Sequence, residues 1–168
     1  MPEFILNTPG RSTPPRKSHP FYDLSTFAKG YVEAMFFTNG DTGDEREYLL
    51  NEWGVEKLTR LSVAKIADDC EAFEKSAAEL LALAYSTDEY DDEQAGRDFW
   101  FSRQGHGVGF WDRKPLERKV IPGADGLRFV AEVITATEPR DLGDLLHAAA
   151  KKFGECDVQA YRGWVHVR

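Results

Sequence analysis

Apolar residues return at spacings of three and four along much of the first half of this chain. Leu24, Phe27, Ala28, Tyr31, Val32, Met35 and Phe36 form one stripe, which predicts an amphipathic helix capped by Asp23 or Ser25. The polar run 39–44 ends it, and a short second helix is expected around residues 45–51, stopped near Gly54. Residues 61–85 carry the longest stripe: Val63, Ile66, Ala67, Cys70, Phe73, Ala77, Leu80, Leu81 and Ala84, with Ser62 as the expected cap. The opposite face holds Asp68, Asp69, Glu71, Glu74 and Glu79. Residues 87–92 read as an acidic linker, and 93–97 as at most one further helical turn.

The period then changes. Residues 99–103 and 108–112 are aromatic runs around Gly105-His106-Gly107, the pattern of a hairpin. Residues 127–137 have strong β character. Residues 142–153 are helical, with Leu142, Leu145, Leu146, Ala149 and Phe153 on one face and Gly154 after the end. Two last strands, 157–161 and 164–167, flank Arg162-Gly163. The expected fold is α+β: a helical N-terminal half packed on a small antiparallel sheet, with the order β-β-β-α-β-β in the C-terminal half. Residues 1–20 hold five of the eight prolines and read as an irregular arm, leaving 21–168 as a single domain.

Charge sharpens this picture. The net charge of −8 is uneven: residues 21–97 carry seven basic and eighteen acidic side chains, whereas 98–168 carry eleven and ten. An acidic face of this kind repels phosphates and attracts basic protein surfaces. The 42% apolar and 30% charged content is that of a soluble globular domain. No apolar run reaches the length of a membrane span, and residues 1–6 lack the basic start and long apolar core of a secretory signal. Cys70 and Cys156 are therefore expected as reduced cytoplasmic thiols.

The densest chemistry lies in residues 98–113, D-F-W-F-S-R-Q-G-H-G-V-G-F-W-D-R. A two- or four-residue turn would set Trp100 against Trp111, Phe101 against Phe110 and Asp98 against Arg113, with Gly109 opposite Ser102. A three-residue loop would pair Phe101 with Trp111 instead, and the matched charges favour the first register. That arrangement predicts that Trp100, Phe101, Phe110 and Trp111 are mostly buried. His106 between two glycines, with Arg103 and Asp112, is the candidate catalytic set. No H-x-x-x-H or C-x-x-C pair, Walker loop or G-x-S-x-G occurs, so neither a metal nor a cofactor is expected. Aromatics beside Arg103, Arg113, Lys114, Arg118 and Lys119 are the ingredients of a single-strand nucleic acid surface, although the overall charge argues against it.

The block resembles a family of short phage and prophage proteins. Their shared run is D-F-W-x-T-R-N-G-H-G-x-G-F-W-D-R, followed by L-G-D-x-L-T-x-A-A-K-x-F-G-E-x-D. Here Ser102 and Gln104 replace the family's Thr and Asn, and the second run stands at residues 142–157. The acidic helix 66–85 is also similar, so the likeness spans about 21–161. Residues 114–140 look like an insertion between the two runs, and 162–168 differ. The resemblance implies a bacterial cytoplasmic setting and a mobile-element origin, and it implies no reaction.

Two functional classes follow. The first is a non-enzymatic accessory protein that binds a host protein with a basic surface, inhibiting a nucleic-acid-handling or defence complex. Its candidate contacts are Asp68, Asp69, Glu71, Glu74, Glu79 and His106. The second is a small enzyme with its site at Arg103, His106 and Asp112. The sequence leaves self-association open.

Overall fold

A computed structural model describes residues 18–39, 54–121 and 139–168. The expected helix at 45–51 and strand at 127–137, and all but the last residues of the 1–20 arm, lie outside them. Five helices are described: α1 Thr26–Thr38, α2 Arg60–Ser76, α3 Ala78–Ala84, α4 Asp92–Gln104 and α5 Leu142–Lys151. Four short strands, β1 Lys119–Val120, β2 Arg140–Asp141, β3 Val158–Tyr161 and β4 Trp164–Val167, pair as two separate antiparallel ladders rather than one sheet. The class is α+β, with a helical first half and a strand-bearing C-terminal part.

The first helix follows its stripe. Ser25 caps it by accepting the Ala28 N–H, and Phe27, Ala28, Tyr31, Val32, Met35 and Phe36 are buried. The long acidic stripe of 61–85 divides in two, because Ala77 leaves helical geometry at φ −109°, ψ 16° between α2 and α3. Thr59, not Ser62, caps α2 by accepting the Ser62 N–H. Ser62 is buried instead. Its hydroxyl donates to the Val165 carbonyl and accepts the Val167 N–H, stitching the start of α2 to β4.

The aromatic hairpin expected at 98–113 is not a hairpin. Residues 92–104 form α4, and the return segment is a single 3-10 turn, Phe110–Asp112. Asp91 caps α4 by accepting the Gln94 N–H. The C-terminal half is therefore not β-β-β-α-β-β over its described length. The reason lies in what α4 buries: Asp98, Ser102 and Arg103 sit inside with Ala95, Phe99 and Trp100. Three polar residues on the inner face interrupt the apolar spacing that announces a helix.

Among the described residues the closest helix packing joins α1 to α4. A Cβ added to Gly30 would collide with the Glu93 carbonyl oxygen, and one added to Gly96 with the Phe27 carbonyl oxygen. The two backbones thus touch without side chains between them. Around this crossing Phe27, Tyr31, Phe73, Phe99, Trp100 and Phe110 build an aromatic core, with Phe73 stacked on Phe99 at 4.2 Å. The segment that looked like an insertion closes at its neck: β1 pairs with β2, Lys119 opposite Asp141 and Val120 opposite Arg140. The final hairpin is as expected. Arg162 and Gly163 both take positive φ, 48° and 82°, the signature of a tight two-residue turn.

Candidate functional site

Asp98 lies at the centre of the block and is fully buried. Arg113 donates to it through both Nε, 2.9 Å from each oxygen, and Nη2, 2.6 Å from Oδ1. Tyr90 Oη donates to Oδ2 at 2.8 Å, and the Gln94 amide to Oδ1 at 3.1 Å. A carboxylate so fully satisfied is a structural anchor rather than a waiting base. Its negative charge, after the burial of the ring, helps to push the Tyr90 phenol far above its ordinary range, so Tyr90 remains a donor.

Arg103 is equally committed. Its Nη1 donates to Tyr31 Oη at 3.0 Å and to Asp69 Oδ2 at 2.9 Å. Nε and Nη2 donate to the carbonyls of Gly154 and Phe153, just past the C-terminal end of α5, where a cation complements the helix dipole. Gln104 adds a reciprocal pair with the backbone of Cys156. One side chain thus ties together α1, α2 and the end of α5. The Arg103 guanidinium is committed within the fold rather than presented to a phosphate or carboxylate ligand.

His106 owes its place to the end of α4. The His106 N–H donates to the Phe101 carbonyl and the Gly105 N–H to that of Ser102, with Gly105 left-handed at φ 72°. This is the two-bond helix stop that favours glycine, and its usual companion is a contact between the residue after the glycine and the fifth residue before it. Here that contact is the His106 ring standing edge-on to Phe101 at 5.8 Å. Asp112 is exposed in its 3-10 turn. Among the described residues no hydrogen bond or ion pair joins any two of Arg103, His106 and Asp112.

The expected pairs across the block divide. Asp98 does meet Arg113, and Gly109 does pack on Ser102, whose hydroxyl accepts the Phe110 N–H. Trp100 and Trp111 part company. Trp100 is buried, edge-on to Tyr31, and its indole N–H donates to Thr38 Oγ1 at 2.8 Å, whereas Trp111 is 45% exposed. A helix followed by a returning loop preserves the antiparallel matching of neighbours but not the two-sided alternation of a hairpin.

Of the acidic candidates, Asp69 is spent on Arg103 and Lys65. Asp68 and Glu79 are exposed, and Glu71 is exposed and paired with Lys75 at 2.5 Å. Glu74 belongs to a larger gathering. Partial burial raises its carboxyl, and the charges of Asp92 and Glu71 raise it further. Asp92, Asp91 and Glu74 in turn act with burial to push the Tyr85 phenol up. The fold therefore brings the start of α4 near α2, so that Glu74, Asp91 and Asp92 lie close enough to act on Tyr85, with Glu71 beside Glu74. Asp91, Asp92 and Tyr85 were not among the sequence candidates. The acidic linker was visible, but its convergence with α2 depends on the turn after α3.

Cys70 and Cys156 are buried free thiols, and burial, then Glu74 and Asp69, holds the Cys70 thiol well above its usual range. That is the unreactive state of a cysteine. Among the described residues no group of three or more His, Cys, Asp or Glu is placed to hold a metal ion, and no helix is long and apolar enough to cross a membrane. No family model, curated protein or solved structure matches this chain.

Proposed function

We propose that this chain is a phage or mobile-element accessory protein that acts in the bacterial cytoplasm by binding a host protein. It uses the carboxylates around Tyr85 against a basic surface, and its target is a nucleic-acid-handling or defence complex. The observation that carries this reading is the gathering of the part-buried Glu74 with Asp92 and Glu71 beside exposed carboxylates, where among the described residues only Glu71 has a cationic partner, Lys75. Like charges held together cost stability, and a cationic partner removes that cost on binding. Glu79, Asp68, Asp88 and Glu89 extend the exposed acid along α2, α3 and the turn before α4. Tyr85, 38% exposed, supplies an aromatic anchor within the charge.

The aromatic block is the frame of this surface. Asp98, Arg103 and His106 hold α4 in place, and α4 in turn carries Asp92 to Glu74. The side-chain polar groups of Asp98 and Arg103 are consumed by that role, which favours a binding protein over an enzyme.

The test is capture from bacterial lysate with the full chain at low and at high salt. A stoichiometric basic partner retained at low salt and released at high salt is expected. Recovery of no such partner at low salt would overturn the reading.

A further inference from the structure

The β3–β4 hairpin carries a second surface of opposite character. Its inner face, Val158, Ala160, Val165 and Val167, packs toward the core. Strand alternation then places Gln159, Tyr161, Trp164 and His166 together on the outer face. Tyr161 and Trp164 are direct cross-strand neighbours, as are Gln159 and His166. Tyr161 is 56% exposed and Trp164 48%, the residue pair nearest the turn.

Cations stand over these rings. Lys57 Nζ lies 5.8 Å from the centre of Trp164, and the Arg162 guanidinium 5.1 Å from that of Tyr161. Among the described residues neither is ion-paired, whereas Arg97, Arg103 and Arg113 each meet a carboxylate. Of the nearby carboxylates, Glu56 accepts from Tyr22, and Asp157 accepts from Gln159 at the end of this face away from the turn; among the described residues neither is paired with Lys57 or Arg162. Arg162 also occupies a left-handed turn position, where Asn, Asp or Gly is the usual choice. The turn thus sets a charge beside an exposed ring.

We infer that this outer face binds single-stranded nucleic acid, with bases stacking on Tyr161 and Trp164 and phosphates meeting Lys57 and Arg162. Paired aromatic π-faces flanked by unmatched cations are the chemistry of sequence-tolerant single-strand binding. An acidic peptide would need the cations but not two exposed rings. The face lies on the C-terminal hairpin, distinct from the carboxylates around Tyr85, and does not depend on that surface having a partner. It also differs from the block at 98–113, whose aromatics are largely core.

The experiment is fluorescence anisotropy of labelled oligo-dT and oligo-U, about twelve nucleotides long, titrated with the full chain at several salt concentrations. Binding that tightens as salt falls is expected, with a shallow dependence reflecting about two phosphate contacts. Trp164→Ala and Tyr161→Ala should each weaken it at least about fivefold, and Arg162→Ser should flatten the salt dependence. Trp164→Phe should restore most of the affinity, and Trp111→Ala should leave it unchanged. Melting curves accompany each variant, so a loss of binding counts only where the fold is intact. Absence of binding to both oligomers at low salt would overturn the inference. So would binding indifferent to Trp164→Ala, or poly-glutamate competing as well as oligo-dT.

Discussion

Asp98 and Arg113 stand fifteen residues apart and meet in a two-pronged ion pair, with Arg113 Nη2 2.6 Å from a carboxylate that is wholly shielded from water. Removing the arginine leaves that carboxylate with only Tyr90 and Gln94 as donors. Arg113→Ala should therefore cost about 3 kcal/mol, as breaking one side of a buried pair does. In a chain of this size that is a fall in melting temperature of roughly 6–12 °C. A thermal melt reads it directly, and a fall of only a degree or two would mean that Asp98 finds another partner.

The Gly30–Gly96 crossing makes an opposite use of small residues. Alanine is the better helix former, by about 1 kcal/mol. At Gly96, however, its methyl would strike the Phe27 backbone, which cannot swing aside. Overpacking of this kind costs roughly 1–3 kcal/mol, so Gly96→Ala should destabilise despite its propensity. Gly107→Ala, which meets open space, is the control and should melt near the parent temperature.

Two tryptophans in one block should behave differently. Trp100→Ala removes a buried ring and its hydrogen bond to Thr38, and should cost about 3–5 kcal/mol in denaturant unfolding. Trp111→Ala removes a ring that is nearly half in water, and should cost about 1 kcal/mol or less. Equal losses would place Trp111 in the core, as a true hairpin requires.

That contrast marks what the residue pattern could reveal. The helix at 26–38, the helix at 142–151 and the hairpin around Arg162-Gly163 were legible because apolar spacing and turn chemistry agree there. The block was misread because its helix buries Asp98, Ser102 and Arg103, which hide the stripe, and because Gly105 ends a helix with the same residue that would turn a hairpin. Asp91 with Gln94, thirteen residues before Gln104, was the overlooked start signal. The neighbours Asp98–Arg113 and Ser102–Gly109 survived the error because any antiparallel return brings them together. For the acidic candidates, the sequence located the charge but not its division. Asp69 faces inward to Arg103, a fact carried only by the packing of α2 against α4.

Glu74 gives the surface a pH signature. Its carboxyl is raised by partial burial, then by Asp92 and Glu71, and Asp91 shares the same neighbourhood around Tyr85. A carboxyl raised on folding takes up a proton more readily folded than unfolded. Its penalty is therefore fully present above the folded pKa and is relieved as the pH falls through that value. Glu74→Gln should raise the melting temperature at pH 7, and the gain should shrink toward zero near pH 4. Melts at the two pH values decide it; a gain that persists unchanged in acid would point to packing rather than charge.

The most direct test joins this stability change to binding. Wild type and the double variant Glu74→Gln/Asp92→Asn are compared in the same lysate capture at low salt, with a melt recorded for each. The account predicts a variant about as stable as wild type that has lost the basic partner, because relief at Glu74 offsets the loss of a carboxylate in the first turn of α4 while both groups serve the contact. An equally stable variant that retains the same partner at the same stoichiometry would contradict it.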